Sequence, residues 1–125
     1  MDFDFDKMYC GVIRRGDVLK CEFNNGGGRK KERVVVVIQD DVLNESMPSI
    51  VCAIVEPYQP EDDIFVNEVL LKNTETGLGS DGICMLHKLI TVDRRLIISK
   101  KGELKSKRLK EIYQALDINL GRFRD

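Results

Sequence analysis

The sequence predicts a mainly β fold: a small, mostly antiparallel sheet that curls into a barrel, with one α-helix at its C-terminal end. Three observations predict it. Strand-length apolar runs rich in valine and isoleucine dominate up to about residue 98, clusters of Gly, Asn, Asp and Pro separate them, and only the last segment changes to a helical period. A length of 125 residues with 42% hydrophobic content suits a single modest core.

In "DVLKCEF", Val18, Lys20 and Glu22 alternate with Leu19, Cys21 and Phe23, the period of a strand with unlike faces. "RVVVVIQ" and "SIVCAIV" are continuous β-branched runs, short enough to be strands buried on both faces. "DIFVNEVLL" and "GICMLHKLITV" supply further strands. In "SKRLKEIYQALDINLGR", Leu109, Ile112, Tyr113 and Leu116 recur at three and four residues, which predicts a helix with Ser106 as N-cap and Gly121 at its end. Asp40, Asp41 and Asn44 read as capping residues of the turn after the valine strand. We expect residues 1–12 to be an N-terminal extension with a disordered acidic start, and 13–121 to be the domain.

The charge pattern restricts the function classes. A formal net charge of -1 argues against nucleic-acid binding through bulk positive potential and leaves local patches. One runs from Arg14 to Arg33, a second from Arg94 to Lys110. The four cysteines lie far apart with no CxxC pair and only one histidine is present, so neither a structural zinc nor any other metal or cofactor is expected. Reduced cysteines in apolar runs, an acidic start and no long apolar span predict a cytoplasmic protein without a membrane segment.

The loop before the valine strand carries the strongest chemical signal. Gly26, Gly27 and Gly28 precede Arg29, Lys30, Lys31 and Arg33, but no Gly-Lys-Ser/Thr follows, so this is not a Walker loop. Arg33 abuts a rigid strand, and a fixed guanidinium can stabilise charge that develops on a phosphoryl group. His87, a residue type that exchanges protons at neutral pH, alternates with apolar neighbours and reads more simply as a partly exposed strand residue.

The order of "RRGDVLKCEF", "ERVVVVIQDDVLNESMPSIVCAIV", "GLGSDGICMLHKLITVDRRLI" and "EIYQALDINLG" resembles the MazF/PemK family of toxin endoribonucleases over roughly residues 13 to 121. The resemblance implies an SH3-like barrel of the MazF/CcdB type. It also implies a metal-independent mRNA interferase that cuts single-stranded RNA at short sequences, dimerises and is silenced by a cognate antitoxin. Carried over residue by residue, Arg33 would stabilise the scissile phosphate and Ser49, after Pro48, would supply a hydroxyl near it. Gly28, Arg29, Lys30, Lys31, His87 and Lys88 would contact RNA, while Gly16 and Asp17 form a structural opening turn.

The chain departs from the family pattern at several places. Val34 stands where most members have proline after the arginine, Gly28 and Arg29 where a Glu-Gln pair precedes the glycines, and His87 and Lys88 where a second Glu-Gln pair lies near the fifth strand. These leave two further readings: a non-catalytic RNA- or protein-binding module on the same barrel, and a gyrase-poison type of toxin.

Overall fold

The computed structural model describes residues 9–24 and 27–122. The acidic start with Asp2, Asp4 and Asp6, and Gly26 of the glycine loop, lie outside the described residues. So does most of the expected extension. The described residues form six strands and three α-helices in the order β1 (Asp17–Asn24), β2 (Lys30–Val37), α1 (Asp41–Ser46), β3 (Ser49–Pro57), β4 (Glu68–Leu71), α2 (Asn73–Thr76), β5 (Gly82–Asp93), β6 (Ile97–Glu103) and α3 (Ser106–Leu120).

All strands join one antiparallel sheet in the order β4-β5-β3-β2-β1-β6. A single 3-10 turn, Arg94–Leu96, connects β5 to β6, although three other strands lie between them in the sheet. So short a link is possible only if the sheet curls until its second and sixth strands approach at one end. The expected barrel is therefore a strongly curled half-barrel, with β4 and β6 as its edges.

The valine run is explained by this curl. Val36 joins Val18, Ala53, Val55 and Cys84 on the convex face, against Ile112 and Ala115 of α3. Val35 and Val37 join Leu19, Cys21, Ile50, Cys52, Val92 and Ile97 in the concave interior. A strand with apolar layers on both faces has no solvent side, so alternation disappears and a continuous β-branched run remains. Each fully buried Val or Leu side chain contributes about 1.5–3 kcal/mol before entropy is subtracted.

Helix α3 buries Ile112 and Ala115 and stops at Gly121, whose φ of 68° is the left-handed conformation that glycine adopts without strain. Its N-cap position is Lys105, and Ser106 is already helical, one residue from the expected boundary. Asp40 does cap a turn: its carboxylate accepts from the Val42 amide at 3.0 Å and starts α1. Asp41 accepts from the Arg15 amide at 2.7 Å. No helix among the described residues is long and apolar enough to cross a membrane.

Several expectations need correction. Only Glu68–Leu71 of "DIFVNEVLL" is a strand; ahead of it the Glu68 amide bonds to the Phe65 carbonyl at 3.0 Å and the Glu68 carboxylate accepts from the Phe65 amide, a closed turn. Strand β6 and helices α1 and α2 were not anticipated. Ile97, at the start of β6, is only 1% accessible, whereas Phe65 in the closed turn is 65% accessible.

The opening turn is structural, as its sequence suggested. Gly16, at φ 90°, donates to Val37 O at 2.8 Å and accepts from the Leu104 amide at 2.9 Å, tying three segments together. Buried Asp17 accepts from the Arg14 amide at 2.8 Å and pairs with Lys100 Nζ at 3.1 Å. Replacing it leaves that amide without its acceptor, so Asp17→Ala should cost about 1–3 kcal/mol, measured by urea unfolding. Burial pushes the thiols of Cys21 and Cys84 up to about 12 and raises that of Cys52 too, with Cys21 and Cys84 adding to the shift. A thiol reagent at pH 8 should therefore modify exposed Cys10 in the native protein and reach the other three only after unfolding.

Candidate functional site

Strand alternation divides the basic residues of β2 between two faces. Lys30 and Glu32 point away from the concave interior and form a charge ladder with β1: Lys30 pairs with Glu22 at 3.3 Å and Glu32 with Lys20 at 2.9 Å. Lys31 and Arg33 share the other face with Val35 and Val37. There, with Phe23, Ile54, Ile90 and Thr91, they line an open groove of about 500 Å³ that continues outward from the concave core.

Arg33 is held at the rim of this groove. Its Nη1 lies 3.2 Å from Glu56 Oε1 near the end of β3, and Lys88 Nζ lies 3.7 Å from the same oxygen. Both partners of the Arg33–Glu56 pair are about one-third accessible, so the guanidinium is oriented without being sealed from solvent. Lys88 reaches this point because β5 is bulged. Ile54 pairs with Met85 but the preceding residue, Ala53, pairs with Leu89, so Leu86, His87 and Lys88 stand outside the ladder opposite β3.

The expected Arg33 and Ser49 pair does not form. Ser49 opens β3 and Glu56 lies seven residues further along, roughly 23 Å at the rise of an extended strand. An odd spacing also places the two side chains on opposite faces, Ser49 with Ala53 and Val55. Ser49 belongs instead to a structural cluster in which Gln39 Nε2 donates to its carbonyl at 3.1 Å and to Asn44 Oδ1 at 3.1 Å. Asn44 Nδ2 donates back to the Gln39 carbonyl at 2.8 Å, and Arg94 donates to the Asn44 carbonyl. The proline that seemed to mark Ser49 in the sequence marks only the start of the strand.

Of the other sequence-selected residues, Lys31 lines the groove beside Arg33 and Lys88 joins it through Glu56. Gly28 and Arg29 lie outside the strands in the exposed β1–β2 connection, with Gly28 at φ 75° and open space around it. Lys30 faces away, and His87 is exposed on the bulge. Glu56 was overlooked: "SIVCAIV" ends one residue before it, and nothing local shows that an acidic residue ending one strand meets the arginine of another.

Three cations of the second basic cluster are paired with carboxylates within the fold. Arg95 forms a forked contact with Asp93, whose carboxyl it holds below the usual range. Lys100 binds Asp17 and Glu103, and Arg108 bridges Glu75 and Glu111.

The fold is a curled β half-barrel with one helix packed on it, and its apolar groove is bordered by an oriented arginine. The chain belongs to the family of PemK-like, MazF-like toxins of type II toxin-antitoxin systems, which it matches over residues 14–120. It is 29% identical over 112 residues to endoribonuclease MazF of Staphylococcus saprophyticus, covering 88% of this chain and 92% of that protein. The same identity and coverage hold for endoribonuclease MazF of Staphylococcus epidermidis. Among solved structures, the fold is similar to a mycobacterial endoribonuclease in complex with its cognate antitoxin (TM-score 0.71, 16% identity, 87% of this chain and 95% of that one). It is equally similar to a MazE-MazF structure from Deinococcus radiodurans (TM-score 0.71, 19% identity, 89% and 98%).

Proposed function

We propose that this protein is a sequence-selective endoribonuclease, an mRNA interferase that cuts single-stranded RNA without a metal and is restrained by a cognate antitoxin. It acts in the cytoplasm as a homodimer. The observation that carries this reading is Arg33, fixed by Glu56 at the rim of the Phe23–Lys31–Ile54–Ile90–Thr91 groove in a chain of the MazF/PemK family.

The chemistry fits that geometry. RNA carries its own nucleophile, the 2'-hydroxyl next to each phosphate, so the protein must supply position, proton transfer and stabilisation of the doubly charged phosphorane. The planar guanidinium of Arg33 matches two phosphate oxygens, and Lys31 on the same face of β2 adds charge along the backbone. Phe23, Ile54 and Ile90 offer an apolar surface for an unstacked base. Gly28, Arg29 and the bulge residues His87 and Lys88 flank this surface and are the places where the choice of RNA sequence would be made. The antitoxin competes for the same basic rim, since what binds a polyanion there also binds an acidic peptide segment.

Two measurements test this reading. The full-length protein, incubated with a long single-stranded RNA in excess EDTA, should cut at a recurring short sequence, and Arg33→Ala should lower the rate at least a hundredfold. Intact RNA with the unmodified protein would refute the nuclease reading. The two faces of β2 should also separate. Lys31→Ala should reduce the slope of log binding constant against log salt by about 0.7, the contribution of one phosphate contact on a single strand, and Lys30→Ala should leave it nearly unchanged.

A further inference from the structure

We infer that Glu56 is the general base of the cleavage reaction, accepting the proton of the attacking 2'-hydroxyl on its Oε2 atom. This rests on the nuclease reading above and adds to it the group that moves the proton.

Three observations carry it. First, Arg33 Nη1 donates to Oε1 at 3.2 Å and Lys88 Nζ comes nearest to the same oxygen at 3.7 Å, so among the described residues Oε2 accepts no hydrogen bond. Two cations from β2 and β5 thus fix the carboxylate from one side and leave the other oxygen open. Second, Glu56 lies two residues beyond Ile54 on β3, so the pleat directs it to the face that forms the groove, and its side chain is 35% accessible. Third, the site needs a proton acceptor, and the residue placed to hold the phosphate cannot be one. A guanidinium stays protonated and has no lone pair to offer. Ser49, the other expected contributor, is at the far end of β3.

Reach follows from the contact with Arg33. A phosphate on the open edge of that guanidinium brings its neighbouring ribose hydroxyl to the carboxylate that already touches the same guanidinium. In the step itself, Oε2 takes the proton from the 2'-hydroxyl as the 2'-oxygen bonds to phosphorus. The bond from phosphorus to the 5'-oxygen then breaks, and that oxygen takes a proton from water in the open groove. The products are a 2',3'-cyclic phosphate end and a 5'-hydroxyl end, and Glu56 returns its proton to solvent. Arg33 and Lys88 offset the carboxylate's own negative charge, which would otherwise repel the phosphate.

Glu56→Gln is the informative variant, because the amide oxygen can still accept from Arg33 while the side chain can no longer take a proton. Single-turnover cleavage of a long single-stranded RNA in EDTA is measured across pH, with binding measured on a 2'-O-methyl copy of that RNA that cannot be cut. Glu56→Gln should bind the uncuttable RNA at least as tightly as the unmodified protein. It should cut about a hundred- to ten-thousand-fold more slowly, and lose the rise in rate on the acid side of the profile. Glu56→Asp should keep that rise at a reduced rate. Cleavage by Glu56→Gln within a few-fold of the unmodified protein, or a slower rate with the acid limb intact, would overturn the proposal and leave a bracing ion pair between β2 and β3. Should Glu56→Gln melt early, Glu56→Asp decides: full rate overturns, and a reduced rate with the acid limb kept supports. An unmodified protein that cuts nothing fails the nuclease reading itself, an outcome distinct from these.

Discussion

Strand β2 has to satisfy three environments with one period of two, and the rest of the molecule is arranged around that constraint. Its C-terminal half is packed on both sides, by the α3 layer and by the curled interior, so Val35, Val36 and Val37 are all buried. Its N-terminal half extends past both layers, and there the same alternation sends Lys31 and Arg33 to the groove and Lys30 and Glu32 to the outer charge ladder. A register slip of one residue would exchange these sets. The pairings of Val34 with Lys20 and with Val55 hold the register on both sides, and the buried valines make a slip costly. The position of the arginine is thus a consequence of core packing two to four residues away.

Sequence reasoning succeeded where a local physical pattern is tied to one structure. The valine and isoleucine runs can be only doubly buried strands, and the 3.6-residue period of α3 together with the glycine at its end marks both its face and its stop. It failed where structure depends on partners distant in the chain. Strand β6 carries Ser99, Lys100, Lys101, Gly102 and Glu103, which look like a polar loop. It is a strand because β1 offers it a free edge and Asp17 binds Lys100. In "DIFVNEVLL" the apolar pattern was real, but Glu68 closes a turn on Phe65 and removes the first half from the sheet.

The same distinction explains the candidate site. Arg33 could be recognised because its neighbours in sequence, glycines on one side and valines on the other, mark the point where a loop of unrestricted backbone meets a rigid strand. Ser49 was selected by a short motif, a hydroxyl after a proline, with no way of knowing that β3 runs away from the groove at that end. Glu56 and the β5 bulge could not be read at all. Their meeting depends on the register of β3 against both β2 and β5, and on three residues of β5 that stand outside the ladder.

The departures from the family pattern take on a common sense in this geometry. Position 34 lies in a strand paired on both sides, where proline would remove a donor from the interior of the sheet; valine keeps the N–H. The replacement of a Glu-Gln pair by His87 and Lys88 puts a cation on the bulge at the point where Glu56 faces Arg33. An acidic residue beside a phosphate-binding arginine would by itself cancel the charge that attracts RNA. With Lys88 added, the three groups carry a net positive charge, and the carboxylate becomes a feature the groove can hold. The basic bulge and the acidic end of β3 therefore meet at one point, where the Glu56 carboxylate lies between Arg33 of β2 and Lys88 of β5 and leaves the three groups with one net positive charge.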